Sequence, residues 1–527
     1  MMSVADHSVS PPQVEIPRSY NAAHDLLARN LRAGRADKLA YIDDHGSYTF
    51  GELQRRANRV AHGLLAAGLQ PEDRIMLALH DSIDFPSVFL GAIQAGIVPV
   101  AVNTLLTAAD YRFMLADSRA KALVVSSPLL ETFRPGLAEA PFCTRIIVAG
   151  PPVTSAETSL AALMNTTADD FAPLARSPDE PCFWLYSSGS TGTPKGTVHA
   201  HASLIQTAEY YARPILGISS EDVVFSAAKL FFAYGLGNSL SFPLAVGATA
   251  ILMAERPTPE AVFKRLVAHR PSIFYGVPTL YAGMLAHPEL PAAEALGLRL
   301  CTSAGEALPA EIGQRFTARF GVEILDGIGS TEMLHIFMSN RQGDVRYGTT
   351  GRPVPGYVIR LCDEQGVEVE AGALGELQIK GPTAALGYWN SRARSQATFV
   401  GEWTRAGDKY TRDAEGYFTY SGRSDDMLKV SGQYVSPFEV EGALLTHPAV
   451  LEAAVVGKAD EDALIKPLAV VVLKPGVTAD ATLEAALKTH VKQRLAPHKY
   501  PRWIRFATEL PKTATGKIQR FKLRDGI

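Results

Sequence analysis

The sequence predicts an α/β fold. It expects a large N-terminal region of parallel α/β sheets, a small β-rich subdomain from about residue 358, and a small α+β unit at the C-terminus. Three observations lead there. Apolar strand-like runs alternate with helical patterns through most of the chain, the signature of repeated βα units. From Val358 the texture changes to short strands, Val358–Cys362 and Gly375–Lys380 among them, separated by turns. After the polar, glycine-flanked break Gly422-Arg423-Ser424-Asp425-Asp426 about a hundred mixed residues follow, enough for a compact unit. The division is therefore 1–424 and 425–527.

Residues 1–17 are polar and contain Pro11-Pro12, so a loose lead-in is expected. Thr49, Glu52, Leu53, Ala57, Val60, Ala61, Leu64 and Leu65 follow a helical period that Gly68 ends. A strand is expected at 75–79. The stretch 85–102 is the most apolar of the chain, but Pro86, Gln94, Gly96 and Pro99 interrupt it. It reads as a helix and a strand over 98–102, not as a membrane span. Further strands are expected at 122–125, 146–148, Val223–Ser226, 248–252, 273–275 and 298–302. Beyond the break, 440–446 and 483–494 read as helices, and 450–457 and 468–473 as strands.

Composition narrows the function classes. The 527 residues are 47% hydrophobic with a net charge of −3 and no basic stripe, which gives nucleic-acid binding no support. No targeting, lipidation or membrane segment is visible. Cys143, Cys182, Cys301 and Cys362 lie far apart without metal-like spacing and read as buried thiols of a cytoplasmic protein.

The most informative run is Tyr186-Ser187-Ser188-Gly189-Ser190-Thr191-Gly192-Thr193-Pro194-Lys195-Gly196, directly after the strand-like Cys182-Phe183-Trp184-Leu185. Glycines let backbone N–H groups turn toward an anion, hydroxyls add donors, and Lys195 adds charge. A polyphosphate cradle at the end of a strand fits better than a Ser/Gly linker, which is seldom flanked by apolar strand sequence. It is not a Walker A loop, because the lysine follows Pro194 and precedes Gly196.

This loop resembles the signature of the acyl-adenylate-forming superfamily, and five further motifs stand in that superfamily's order. Taken alone, each has an ordinary reading. Asp326-Gly327-Ile328-Gly329-Ser330-Thr331-Glu332 would serve as a turn and helix cap. Ser303-Ala304-Gly305-Glu306 would be a strand-to-helix turn, and Gly407-Asp408 a β-turn. The 422–433 run would be a charged hairpin, and Lys517 a solvated terminal lysine. Two departures stand out: Ile328 replaces the usual adenine-stacking aromatic residue, and Ala406 replaces a threonine before Gly407-Asp408.

The resemblance covers nearly the whole chain and is nearest to aryl-CoA synthetases of the benzoate type. It implies ATP and Mg²⁺ as cofactors, coenzyme A as co-substrate, and a carboxylate acid converted to an acyl-adenylate and then a thioester. Lys517, Thr331 and Glu332 would be catalytic, with Glu332 also the Mg²⁺ ligand. ATP would meet Ser187, Ser188, Gly189, Ser190, Thr191, Gly192, Thr193 and Lys195. It would also meet Ser303, Ala304, Gly305, Glu306, Asp326, Gly327, Ile328, Asp408 and Arg423. Ala233, Tyr234, Gly327, Ile328 and His335 would wall a flat slot for an aromatic carboxylate, benzoate foremost. Asp425 would be the hinge of a mobile C-terminal domain, and Lys429, Ser431 and Gly432 would line the CoA tunnel. Two rival substrates stay open: a medium- or long-chain acid, and an aryl-adenylate passed to a carrier protein. A nonenzymatic nucleotide-binding module is the third reading. A homodimer is compatible with all of these.

Overall fold

Two large sheets carry the N-terminal part of the computed structural model. The structure describes all residues except 153, 166–167, 188–193, 425, 431–432, 462–463, 497, 513–517 and 526–527. Among the described residues one sheet has eight strands. Arg74–Ala78 lies between Val98–Ala101 and Ala122–Ser126, all parallel, and Pro181–Ser187 runs parallel to Val98–Ala101 on its outer side. The second sheet has nine. Its parallel centre runs Ile324–Gly329, Leu300–Ser303, Ile273–Gly276, Val223–Ser226 and Thr249–Ile251. Parallel strands covered on both faces read as continuous apolar runs, which is why 75–79 and 122–125 were legible.

Helix Phe50–Ala66 starts where its cap dictates. Thr49 accepts from the Glu52 N–H while the Glu52 carboxylate accepts from the Thr49 N–H. It packs on Asp84–Gln94, whose residues from Phe85 to Gln94 are all buried. The crossing is close enough that a Cβ at Gly91 would stand 2.6 Å from the Ala57 carbonyl oxygen. One core takes side chains from both sheets, Leu77 and Tyr275 among them. None of the described helices is long and apolar enough to cross a membrane.

The N-terminus corrects the expectation of a loose lead-in. Val4–Asp6 and Gln13–Glu15 pair as a hairpin. Ser3 Oγ donates to Asp25 Oδ2 at 2.6 Å, and His7 Nε2 lies 2.7 Å from Glu209 Oε2, which anchors the segment despite its polarity.

From Val358–Cys362 onward an antiparallel sheet takes in Gly375–Lys380, Trp403–Arg412 and Phe418–Arg423. The last part has its own core, in which Leu428, Val430 and Val435 pack with Val440, Val455, Val471, Leu487 and Ile504. Its sheet pairs Val450–Ala459 with Ile465–Leu473 antiparallel, and the latter with Trp503–Ala507 parallel. It meets the preceding part through the Tyr420–Phe438 ring contact at 5.2 Å and the bond from Ile518 N–H to Glu306 Oε1 at 3.0 Å. The expected hinge residue, Asp425, lies outside the described residues.

Candidate active site

The strands flanking the Ser/Gly loop form a hairpin, Pro181–Ser187 against Lys195–Ala200, with Ser187 opposite Lys195. Ser188, Gly189, Ser190, Thr191, Gly192 and Thr193 lie outside the described residues. Lys195 begins the returning strand, and its Nζ donates to Glu332 Oε1 at 3.3 Å and to the Tyr388 hydroxyl at 3.1 Å. Tyr388 in turn donates to the same Glu332 oxygen at 2.7 Å. Burial works to raise the Glu332 carboxyl, but the Lys195 charge and the Tyr388 hydroxyl outweigh it and hold the group below its ordinary range.

His199 stands four residues beyond Lys195 on the same strand face. Its Nε2 lies 2.8 Å from the Thr331 carbonyl oxygen. A carbonyl only accepts, so Nε2 carries the proton. Burial pushes the imidazole down to about 4, which keeps it neutral. One strand thus fixes both ends of Thr331-Glu332. Tyr388 and His199 were not singled out from the sequence. Their partners lie 56 and 132 residues away, so no local period or spacing marks them.

Asp326, Gly327, Ile328 and Gly329 are strand residues within Ile324–Gly329, not the turn that the glycines suggest. Antiparallel pairing with Ile336–Ser339 satisfies the strand from its other side. Asp326 is buried opposite Ser303 in the parallel register, and burial pushes its carboxyl well up. Asp326 Oδ1 and Ser303 Oγ are both buried without a protein partner. Such orphans mark a place where a polar ligand or water completes the bonding.

Beside these motifs lies a cavity of about 150 Å³. Ala228, Phe232, Ala233 and Tyr234 form one wall, Ala304, Gly305 and Glu306 another, and Gly329, Ser330 and Thr331 a third. Leu334, His335, Ile336 and Val277 complete it. Ala233, Tyr234 and His335 of the expected slot are among its lining residues. Gly327 and Ile328 are not among the lining residues. A Cβ on Gly327 would meet the Ile336 side chain at 3.1 Å, and the far side is built by Gly329, Leu334 and Ile336 instead.

Tyr234 and Thr302 share a hydroxyl–hydroxyl bond of 2.5 Å. His335 Nε2 is 3.2 Å from both the Tyr234 carbonyl oxygen and Asn238 Oδ1, so Nε2 holds the proton. Burial takes this imidazole down to about 3, leaving it neutral with a bare Nδ1. Leu334 holds a left-handed φ of 64°, a conformation that costs a non-glycine residue about 1–2 kcal/mol.

On the sheet of the small β-rich part, Asp408 and Arg423 are opposite one another, with Arg423 Nη1 3.4 Å from Asp408 Oδ1. Lys429 belongs to strand Leu428–Val430. Ser431, Gly432 and Lys517 lie outside the described residues; Ile518, which follows Lys517, bonds to Glu306 of the cavity wall. Among the described residues no cluster of three or more His, Cys, Asp or Glu could hold a metal ion. One ionised carboxylate such as Glu332 fits Mg²⁺ that takes its other ligands from phosphates and water.

Residues 27–389 match the family described as AMP-binding enzyme, and residues 439–517 match the AMP-binding enzyme C-terminal domain. The chain belongs to the AMP-binding enzyme family. Among the relatives of this AMP-binding enzyme is the benzoate–CoA ligase of Thauera aromatica, 64% identical over 99% of both chains. A benzoate CoA ligase from Burkholderia xenovorans LB400 has a similar solved structure. Its TM-score is 0.89 at 58% identity, covering 96% of this chain and all of that one. The anthranilate CoA ligase AuaEII, solved in complex with anthranoyl-AMP, superimposes with a TM-score of 0.93 at 41% identity over 97% of this chain and 98% of that one.

Proposed function

We propose that this enzyme joins benzoate to coenzyme A at the expense of ATP, through benzoyl-adenylate, releasing AMP and pyrophosphate. The observation that carries the reading is the 150 Å³ cavity beside Thr331 and Glu306. Apolar cavities of about 150 Å³ are known to take a benzene ring. A long alkyl chain needs more room. The identity to the ligases of benzoate and anthranilate supports an aryl acid at that place.

A carboxylate oxygen attacks the α-phosphorus of ATP, the bond to the β-phosphate oxygen breaks, and pyrophosphate leaves. A thiol then attacks the acyl carbonyl, losing its proton, and AMP departs with the acyl C–O electron pair. Two anions must meet in the first step, so donors and cations fixed before the reaction lower its barrier. We assign the loop 187–193 and Lys195 to the outer phosphates and Lys517 to the charge between carboxylate and α-phosphate. Thr331 would donate to phosphate, and Glu332 would hold Mg²⁺, whose charge neutralises the outer phosphates when bound. Ser303, Ala304, Gly305, Glu306 and Asp326 would border the adenine, and Asp408 with Arg423 the ribose hydroxyls. The 425–527 part would turn about Asp425 between the steps and bring the Lys429–Gly432 segment to the thiol. ATP, CoA and free thiols suit a cytoplasmic enzyme.

The test is pyrophosphate release from a panel of acids, with and without CoA. Benzoate and singly substituted benzoates should release pyrophosphate and form thioester. Palmitate turning over as well as benzoate would end the aryl reading. Release without thioester would point to a carrier-protein acceptor.

A further inference from the structure

The loop 227–232 supplies two lining residues of the acyl cavity, Ala228 and Phe232, and it is not held by its own sheet alone. The residue that grips it comes from the other sheet. Asp81 follows strand Arg74–Ala78 and is 3% exposed, and its Oδ1 accepts the Leu230 N–H at 3.1 Å. The neighbouring Lys229 turns its ammonium inward, donating to the Met253 carbonyl and, at 2.7 Å, to the Glu255 carbonyl. Asp81 is the largest favourable charge on that ammonium. The far side continues as ion pairs: Arg265 to Glu255 at 2.6 Å and Arg265 to Asp44. His80 faces the same charge: burial and Lys229 both lower its imidazole. Immediately beyond the loop, the helix of Ala233 and Tyr234 begins so tightly against it that Gly235 has no room for a Cβ.

We propose that Asp81 is a positioning residue for the acyl pocket: through its bond from the Leu230 N–H it fixes loop 227–232, and so sets the affinity for the acid substrate. It is not among the residues that line the cavity. The inference rests on the cavity being the acyl pocket. Physically, a carboxylate taken out of water is kept only where donors or an opposite charge hold it. Here the donor is a backbone N–H of the very loop that forms the pocket wall, and the charge of Lys229, the residue before it, acts in the same sense from further off. Burial pushes the Asp81 carboxyl up to about 6, against the lowering effect of Lys229 and the Leu230 N–H. The clamp is therefore charged at neutral pH and loses its charge just below it.

The test uses the full chain and four variants: Asp81→Asn, Asp81→Ala, Lys229→Met and the double variant Asp81→Asn with Lys229→Met. Benzoate turnover by the parent, scored first, tests the substrate reading by itself. The clamp is scored on whichever acid the parent activates, as the change in KM for acid relative to that for ATP. Asp81→Asn keeps an acceptor for Leu230 and should raise the acid KM about tenfold, the equivalent of one charged hydrogen bond, with the ATP KM within about twofold. Asp81→Ala should raise it further. Lys229→Met should raise it too, and the double variant, whose pair is neutral on both sides, should recover to within about threefold of the parent. The parent's acid KM should climb below about pH 6 and that of Asp81→Asn should not. Acid and ATP KM moving together in every variant that folds, or an acid KM unchanged in all of them, would overturn the proposal. If Asp81→Ala does not fold, Lys229→Met and the double variant decide between the same two outcomes.

Discussion

Tyr388 donates to the Glu332 oxygen that also receives Lys195, and these bonds leave the carboxylate one orientation. Replacing Tyr388 by Phe removes one hydrogen bond to a charged acceptor, worth about 1.5–3 kcal/mol. If Glu332 serves the outer phosphates, the ATP KM should rise roughly tenfold or more while the benzoate KM stays within about twofold. Steady-state kinetics with each substrate varied in turn reads this directly. A rise in the benzoate KM alone would separate Glu332 from the nucleotide. At this scale the sequence shows Thr331 and Glu332, because their motif is contiguous. It hides Tyr388 and His199, because their meaning lies in contacts that only the sheet order creates.

Helix Phe50–Ala66 was readable because its period and its Thr49–Glu52 cap are local. Strand Ile324–Gly329 was not, because its two glycines imitate a turn and only the antiparallel partner Ile336–Ser339 makes them a ladder. The short N-terminal hairpin was missed for a related reason: three-residue strands are too short to show alternation. The junction of loop 227–232 with the helix at Ala233–Leu236 tests how tightly such elements are set. A methyl group at Gly235 would stand 2.1 Å from the Lys229 carbonyl oxygen and 2.5 Å from that of Ala228, both backbone atoms that cannot swing aside. Gly235→Ala should therefore cost about 1–3 kcal/mol of stability, as overpacking does. It should also displace the wall formed by Ala228 and Phe232. Denaturant unfolding at fixed pH checks the first effect, and the acid KM the second. A variant as stable as the parent would show that the loop is slack.

The parallel α/β class was legible in the whole molecule because parallel strands are apolar throughout. The arrangement of the last hundred residues against the rest was not, since it depends on single long-range contacts such as Ile518 to Glu306. If that contact brings the C-terminal lysine to the first half-reaction only, Lys517→Ala should lose several kcal/mol of adenylation barrier stabilisation. The same variant should turn over supplied benzoyl-AMP and CoA at close to the parental rate.

The response of the entire fold to acid follows from its buried imidazoles. His201 is 2% exposed, and its Nδ1 accepts the Ala22 N–H at 3.2 Å, so the ring is neutral with its proton on Nε2. Burial, with Arg176 nearby, takes its folded pKa down to about 3, while the unfolded chain titrates near the ordinary 6.5. Because the folded value is depressed, the unfolded state binds the proton first. The contribution is therefore complete above 6.5 and is lost as pH falls from there toward 3. At about pH 5 the loss is roughly 2 kcal/mol, one and a half units at 1.36 kcal/mol each. Asp81, raised to about 6, works in the opposite direction over part of that window. A difference between two proteins that both keep Asp81 cancels this. His201→Gln has no proton to exclude, so its stability deficit relative to the parent should shrink by about 2 kcal/mol between roughly pH 7.5 and pH 5. Urea unfolding of both proteins at the two pH values measures that change. A deficit that stays constant would mean that the folded ring takes up its proton over the same pH range as the unfolded chain, so that burial does not exclude it.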